Sequence, residues 1–268
     1  EHGNGDGKIT IVSLNVGGVN KAWDAAYMFT EAGYDIICLQ EVALGKEEGR
    51  HFITQARAWG YAVTLSGCQH KIDCFGKTRR YGGTLIMTKI CRQARTLGSF
   101  HCQDGQLAQV DLGFAILGSI YSRPTELTGE LEAEMRRRMQ GEHPDRAWIW
   151  VGDWNLTKDE NGYYEMLVSR GAVVHTIYEE SAEVPSRWTA SRQIDYFVTS
   201  RPDLVGDVAF DDTRISDHKV LKGVIAHRGR LTTVHQIIAT NKYAKPAEVG
   251  KEELKDAIRQ QWEQEYDR

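Results

Sequence analysis

No apolar run in the chain approaches the roughly 18 residues that a membrane-spanning helix needs. Neither sign of charge is in large excess: Lys and Arg number 33 against 37 Asp and Glu, for a net charge of −4. With a pI near 6.2, no global basic character marks a nucleic-acid partner. Cysteines are few and odd in number, five, with no export signal. That argues against a secreted disulfide framework, and we expect a reducing, intracellular compartment. The opening EHGNGDGKIT has neither an initiator Met nor a signal-peptide pattern. We therefore expect a piece of a longer chain.

What is present suffices for a large core. A hydrophobic fraction of 41% beside 26% charge is ordinary for a 268-residue globule. Charge is uneven locally. Lys77, Arg79, Arg80, Lys89, Arg92 and Arg95 share a stretch without any acid, which reads either as a solvated face or as a phosphate-contacting edge. Cys68, His70, Asp73 and Cys74 lie close together, but the Cys spacing matches no common zinc motif.

Strand and helix patterns alternate without a long repeat. KITIVSLNV reads as a strand, followed by a helix that Asn20 caps and Gly33 closes. YDIICLQE is a continuous apolar run, hence a strand buried on both faces. A second helix runs from about Lys46 to Gly60 with Phe52, Ile53, Ala56 and Trp59 on one face. Strands follow at YAVTLS, GGTLIMT, LAQVDL and FAILGSIY, then a helix marked by Leu127, Leu131, Met135 and Met139. AWIWVG, a short helix closing at Gly171, QIDYFVTS, VGDVAF and KVLKGVIA complete the pattern. Two strand-rich halves, each with helices, predict a four-layer α/β sandwich: two packed, mainly antiparallel sheets flanked by helices over residues 8–226. Residues 227–268 read as a polar linker and an amphipathic helical tail, striped by Leu254, Ile258, Trp262 and Tyr266.

Polar groups gather where predicted strands stop: Asn15 in SLN, Glu41 in LQE, Tyr121 in SIY, Asp153 and Asn155 in GDWN, Asp195 in QIDY, and Asp217 with His218 in SDH. Loops at strand ends are the usual home of catalytic groups. Taken singly, each has an ordinary structural explanation, such as an Asx-turn or a capped helix. Glu41 has one as well, as a cap of the next element, although a carboxylate after a fully apolar strand is costly to bury unpaired. Adjacent strand residues point to opposite faces, so Asp217 and His218 are expected to find partners elsewhere.

In this order the motifs resemble the endonuclease/exonuclease/phosphatase superfamily, which has a deoxyribonuclease-like fold. The match covers roughly residues 8–226. Within it, RWTASRQIDYFVTS followed by SDHKVL is most similar to the apurinic-like endonuclease domain of non-LTR retrotransposons. The resemblance implies Mg²⁺, with Mn²⁺ as its alternative, held mainly by Glu41 with help from Asn15 and Asp217. It implies that His218, oriented by Asp195, contacts the scissile phosphate as base or charge stabiliser. Asp153 orients or deprotonates water, while Asn155 and Tyr121 bind phosphate oxygens, with Asn15 alongside. The residues themselves leave open whether Asp153 or His218 takes the proton. Arg123, Arg79, Arg80 and the segment TKICRQAR are candidates for gripping DNA.

The function implied is Mg²⁺-dependent nicking of DNA to leave a 3′-hydroxyl, in the nucleus if the chain comes from a retrotransposon. A downstream reverse transcriptase in the same polypeptide would use that end as primer. No membrane partner is implied. The alternatives are an abasic-site repair endonuclease, a small-molecule phosphatase on the same fold, and a non-catalytic binding module. Two positions depart from the family pattern. Gly17 stands where many relatives carry a polar residue, and Trp154 is larger than the usual occupant and is expected between the sheets.

Overall fold

The structure, a computed structural model, describes residues 8–72, 75–123, 129–140, 146–160, 171–179 and 182–226. Its first half runs β1 (Lys8–Asn15), α1 (Val19–Glu31), β2 (Ile36–Gln40), α2 (Lys46–Ala58), β3 (Tyr61–Ser66), β4 (Gln69–Ile72), β5 (Thr78–Tyr81) and β6 (Thr84–Lys89). A 3₁₀ turn, Ile90–Arg92, leads to β7 (Arg95–Cys102), β8 (Gly105–Asp111), β9 (Ala115–Ser122), α3 (Glu130–Gln140) and β10 (Ala147–Asp153). The remainder is β11 (Val173–His175), β12 (Tyr178–Glu179), β13 (Ala182–Glu183), β14 (Asp195–Thr199), β15 (Val205–Asp211) and β16 (Val220–Ala226). Leu127, the segment closing at Gly171 and the tail 227–268 lie outside the described residues, as do Asp73 and Cys74.

One six-stranded sheet has the order β15-β16-β1-β2-β6-β3, and the other β11-β14-β10-β9-β8-β7. Each contains a single parallel pair, β1 with β2 and β9 with β10, among antiparallel neighbours. A parallel pair needs a crossover, and α1 supplies the first. The sandwich expected from the sequence is thus present.

Strand β2 shows why the layers form. Its alternate residues Ile36 and Cys38 enter the core between the sheets, while Ile37 and Leu39 pack under Phe29 of α1 and Phe52 of α2. On the outer face of the other sheet, Leu131 and Met135 of α3 cover Leu107, Ile120 and Trp150. Trp154 belongs to this outer cluster, stacked 5.4 Å from Tyr196. It does not sit between the sheets as expected, because the cover from α3 on the outer face holds the larger aromatic residues while the inter-sheet space is filled by smaller aliphatics.

Two further expectations are corrected. Asn20 does not cap α1: the N-cap is Gly18, without a side-chain hydrogen bond, because positive φ at Gly17 and Gly18 turns the chain two residues earlier. The second part of the basic stretch, TKICRQAR, is not an edge at the strand-end site. Lys89 and Arg92 pair with Asp35 at 3.4 and 2.9 Å, and Arg95 pairs with Asp111 at 3.5 Å. Asp35 precedes β2 whereas Glu41 follows it, about 20 Å away at the rise of a strand. No acid lies within the stretch, yet the fold brings acids to it.

Candidate active site

The C-terminal ends of the two parallel pairs converge at one rim of the sandwich. Asn15 ends β1, in register with Gln40, and Glu41 follows it. In the other sheet Tyr121, Asp153 and Asp195 face one another across β9, β10 and β14. A polar plug under the rim ties the sheets together: Gln40 Nε2 donates to Ser119 Oγ at 3.0 Å and to Ser13 Oγ at 3.1 Å. Thr84 and Ser119 share a 2.7 Å hydroxyl contact beside it. All are buried, so the rim stands on satisfied polar groups rather than on apolar packing.

The Gly of Gly-Asp-x-Asn has a steric cause. Gly152 has φ +145, and a Cβ there would lie 2.0 Å from the Ile120 carbonyl oxygen. Only glycine lets β10 approach β9 closely enough to bring Asp153 to the rim.

Asn15 joins the sheets. Its Nδ2 donates to Glu41 Oε1 at 2.9 Å and to Asp153 Oδ2 at 2.7 Å, while its Oδ1 accepts from Gly17 N at 3.0 Å. The Gly17 backbone therefore fixes which end of the amide meets the carboxylates. Asp153, 1% exposed, also accepts from Asn155 N at 2.8 Å. Asn155 has φ +54 and spends one amide proton on Ser122 O at 2.8 Å, leaving a second. His218 Nδ1 meets Asp195 Oδ2 at 2.8 Å, and its Nε2 lies 3.8 Å from Asp153 Oδ2. Ser186 Oγ accepts from Asp195 N at 3.2 Å and Ile194 N at 3.0 Å, holding the strand that carries Asp195.

Burial governs the charges here. It pushes the Asp153 carboxyl up to about 7, the Asp195 charge adding to it while His218 and Asn15 oppose it. Burial also works against a charged His218, but the Asp195 charge and hydrogen bond, with Asp153 and Asp217, outweigh it and raise the imidazole to about 9. Tyr121 is driven well above the usual phenol range by burial and then by the charges of Glu41 and Asp153, so it stays a neutral donor.

The structure gathers Asn15, Glu41, Tyr121, Asp153, Asn155, Asp195 and His218. Asp217 stands at the edge of this group: its half-exposed carboxylate pairs with Arg187, and its charge reaches His218. His218 takes Asp195 as its buried partner, and the neighbouring Asp217 takes Arg187 as its half-exposed one. Of the expected DNA-gripping arginines, Arg80 is engaged by Glu48 of α2 at 2.5 Å and Arg79 is exposed on β5. Arg123 lies beside the site, its guanidinium 4.5 Å from the Tyr81 ring and 5.7 Å from that of Tyr121. Sequence reasoning missed Arg187, which forms a bridge with His218, and Gln40. For Arg187 the sequence offers no periodic signal; the buried run ending in Gln40 did mark a strand end.

Asp153, Asp195 and His218 have ligand atoms all within 4.8 Å of one another and form a cluster able to hold a metal ion. The short His218–Asp195 bond makes that pair better suited to orienting the imidazole. A divalent cation fits the neighbouring group better: Glu41 and Asp153 lean on one neutral amide, leaving negative charge that a hard, oxygen-seeking cation would balance.

This fold and site define a hydrolytic class built on a two-sheet α/β sandwich. The chain belongs to the endonuclease/exonuclease/phosphatase family, whose sequence profile matches residues 12–218. Among solved structures it is similar to a 3′ phosphatase, NExo, from Neisseria bound to a product DNA hairpin: 15% identity, TM-score 0.57, covering 81% of this chain and 99% of that one. An AP endonuclease from Archaeoglobus fulgidus gives 14% identity and TM-score 0.56, over 82% of this chain and all of that one (100%). One from Leishmania major gives 18% and 0.54, over 82% and 88%. No curated protein sequence matches the chain.

Proposed function

We propose that the chain is a Mg²⁺-dependent DNA endonuclease that nicks one strand to leave a 3′-hydroxyl, as in retrotransposon target-site cleavage. The observation that carries this reading is the row Tyr121–Asp153–Asp195, with His218 held by Asp195 and Asp153 tied to Glu41 through Asn15. In that role the chain works in the nucleus, ahead of a reverse transcriptase in the same polypeptide. The order of RWTASRQIDYFVTS and SDHKVL supports this placement.

His218, raised to about 9, is protonated at neutral pH and serves as a donor to the phosphate rather than as the base. Asp153, near 7, is matched to accepting a proton from water. Water oxygen bonds to phosphorus, its proton passes to Asp153, and the bond from phosphorus to O3′ breaks. The departing O3′ takes its proton from solvent. Tyr121 and the second amide proton of Asn155 donate to phosphate oxygens. Bound at Glu41, Mg²⁺ or Mn²⁺ would supply Lewis-acid charge at the phosphoryl group.

Relaxation of supercoiled plasmid tests the reading. We expect nicking with Mg²⁺, none with EDTA, and loss in Glu41→Ala and His218→Ala, with nicked ends that a polymerase extends directly. Cleavage confined to abasic DNA would favour a repair endonuclease. Phosphate release from small phosphoesters alone would favour a phosphatase.

A further inference from the structure

Two arginines flank the catalytic row, and both carry buried N–H groups without a partner. Among the described residues the only buried, unpartnered guanidinium nitrogens are Nε and Nη2 of Arg123 and Nε of Arg187. Arg123 follows Tyr121 by two residues at one end of the row. Arg187 pairs across an antiparallel bridge with His218 at the other. Residues directly opposite in such a bridge project to the same side, so Arg187 starts out on the side of the imidazole.

Arg123 is held firmly before any ligand arrives. Gln69 Oε1 accepts from its Nη1 at 2.8 Å, its backbone N donates to Asp104 O at 2.6 Å, and Tyr81 and Tyr121 flank its guanidinium. Gly82 makes the space: a Cβ there would lie 3.0 Å from Nη2. Arg187 is held by Asp217. A fixed planar fork loses little freedom on meeting a phosphate oxygen, and it presents parallel donors that lysine lacks.

The spacing limits the ligand. Tyr121, Asp153 and Asp195 lie in register on adjacent strands, about 4.8 Å apart each, so the row alone spans about 10 Å. Arg123 stands beside the Tyr121 end, its guanidinium 5.7 Å from that ring, and Arg187 stands opposite His218, the partner of Asp195 at the other end. A single phosphate group is too small to reach both, whereas a nucleic-acid strand offers successive phosphates. The rim needs this help, because Glu41, Asp153, Asp195 and Asp217 otherwise repel an anion, and the chain's net charge of −4 gives no general attraction.

We infer that Arg123 and Arg187 form a two-point phosphate clamp that brackets the catalytic row and selects a polynucleotide strand over a single-phosphate small molecule. The inference rests on the nuclease reading and deepens it by naming the feature of the substrate that is gripped. Arg95, tied to Asp111 at the other end of the sheet, is outside the clamp.

The test is fluorescence anisotropy of a labelled DNA duplex with the whole protein in EDTA, from 20 to about 200 mM salt. Each phosphate contact contributes about 0.9 to the slope of log affinity against log salt. Arg123→Gln and Arg187→Gln should each lower that slope by about 0.9 and the double variant by about 1.8. Arg123→Lys and Arg187→Lys should restore it, and they guard against a folding defect in the glutamine variants. Arg95→Gln should leave it unchanged. Slopes unaltered in the glutamine variants, or lowered equally by Arg95→Gln, overturn the clamp while leaving the nuclease reading standing. A parent protein that binds no duplex but hydrolyses a small phosphoester overturns both.

Discussion

Asp217 and His218 are neighbours in sequence with different partners: His218 Nδ1 meets Asp195 at 2.8 Å in a buried pair, and the half-exposed Asp217 pairs with Arg187. Their unequal surroundings predict unequal sensitivity. His218→Ala should lower Mg²⁺-dependent nicking by about 10²–10⁴. Asp217→Asn, measured on the same plasmid, should lower it by less than about tenfold, because a half-exposed ion pair contributes little. Equal losses would return Asp217 to the metal.

The titration of the rim predicts how metal-free stability follows pH. Both His218, raised to about 9 from 6.5, and Asp153, raised to about 7 from 3.8, hold protons more tightly folded than unfolded. Stability from such groups is full below the unfolded value and is lost as pH rises through the folded one. Melting temperature in EDTA should therefore decline from pH 5 to 9. In Asp153→Asn the decline below about pH 7 should flatten, leaving the His218 portion. A melting temperature that rises across this range in the parent would contradict the assignment.

Asn15 offers a third prediction, since one neutral amide separates Glu41 from Asp153. Asn15→Asp replaces that donor with a third carboxylate. Without metal it should cost about 1–3 kcal/mol in urea unfolding. Added Mg²⁺ should restore more stability to the variant than to the parent, because the cation would balance the added charge. An equal Mg²⁺ effect in both proteins would place the cation away from Asn15.

Much of the fold is legible because burial leaves periodic traces. β2, β10 and β16 coincide closely with apolar runs whose alternate residues fill two different cores. The strands that escape a sequence reading are polar edges and hairpins. β7, with the sequence RTLGSFHC, is largely exposed, and β4 with β5 forms a hairpin where a surface loop is the natural expectation. Such strands are fixed by pairing with a neighbour rather than by their own pattern.

What the sequence by itself determined is the set of chemical groups and their stations at strand ends, together with the glycine that lets Asp153 reach its place. Only the tertiary structure decided which of them meet. Asn15 and Asp153 are 138 residues apart yet share a 2.7 Å hydrogen bond, because two sheets pack with their parallel pairs ending at one rim. The same packing paired Asp217 with Arg187, brought Arg187 beside His218 and carried Lys89 and Arg92 to Asp35. Local pattern records which face a residue buries; it does not record which distant residue will stand opposite. That depends on sheet order and register, set by the whole core at once.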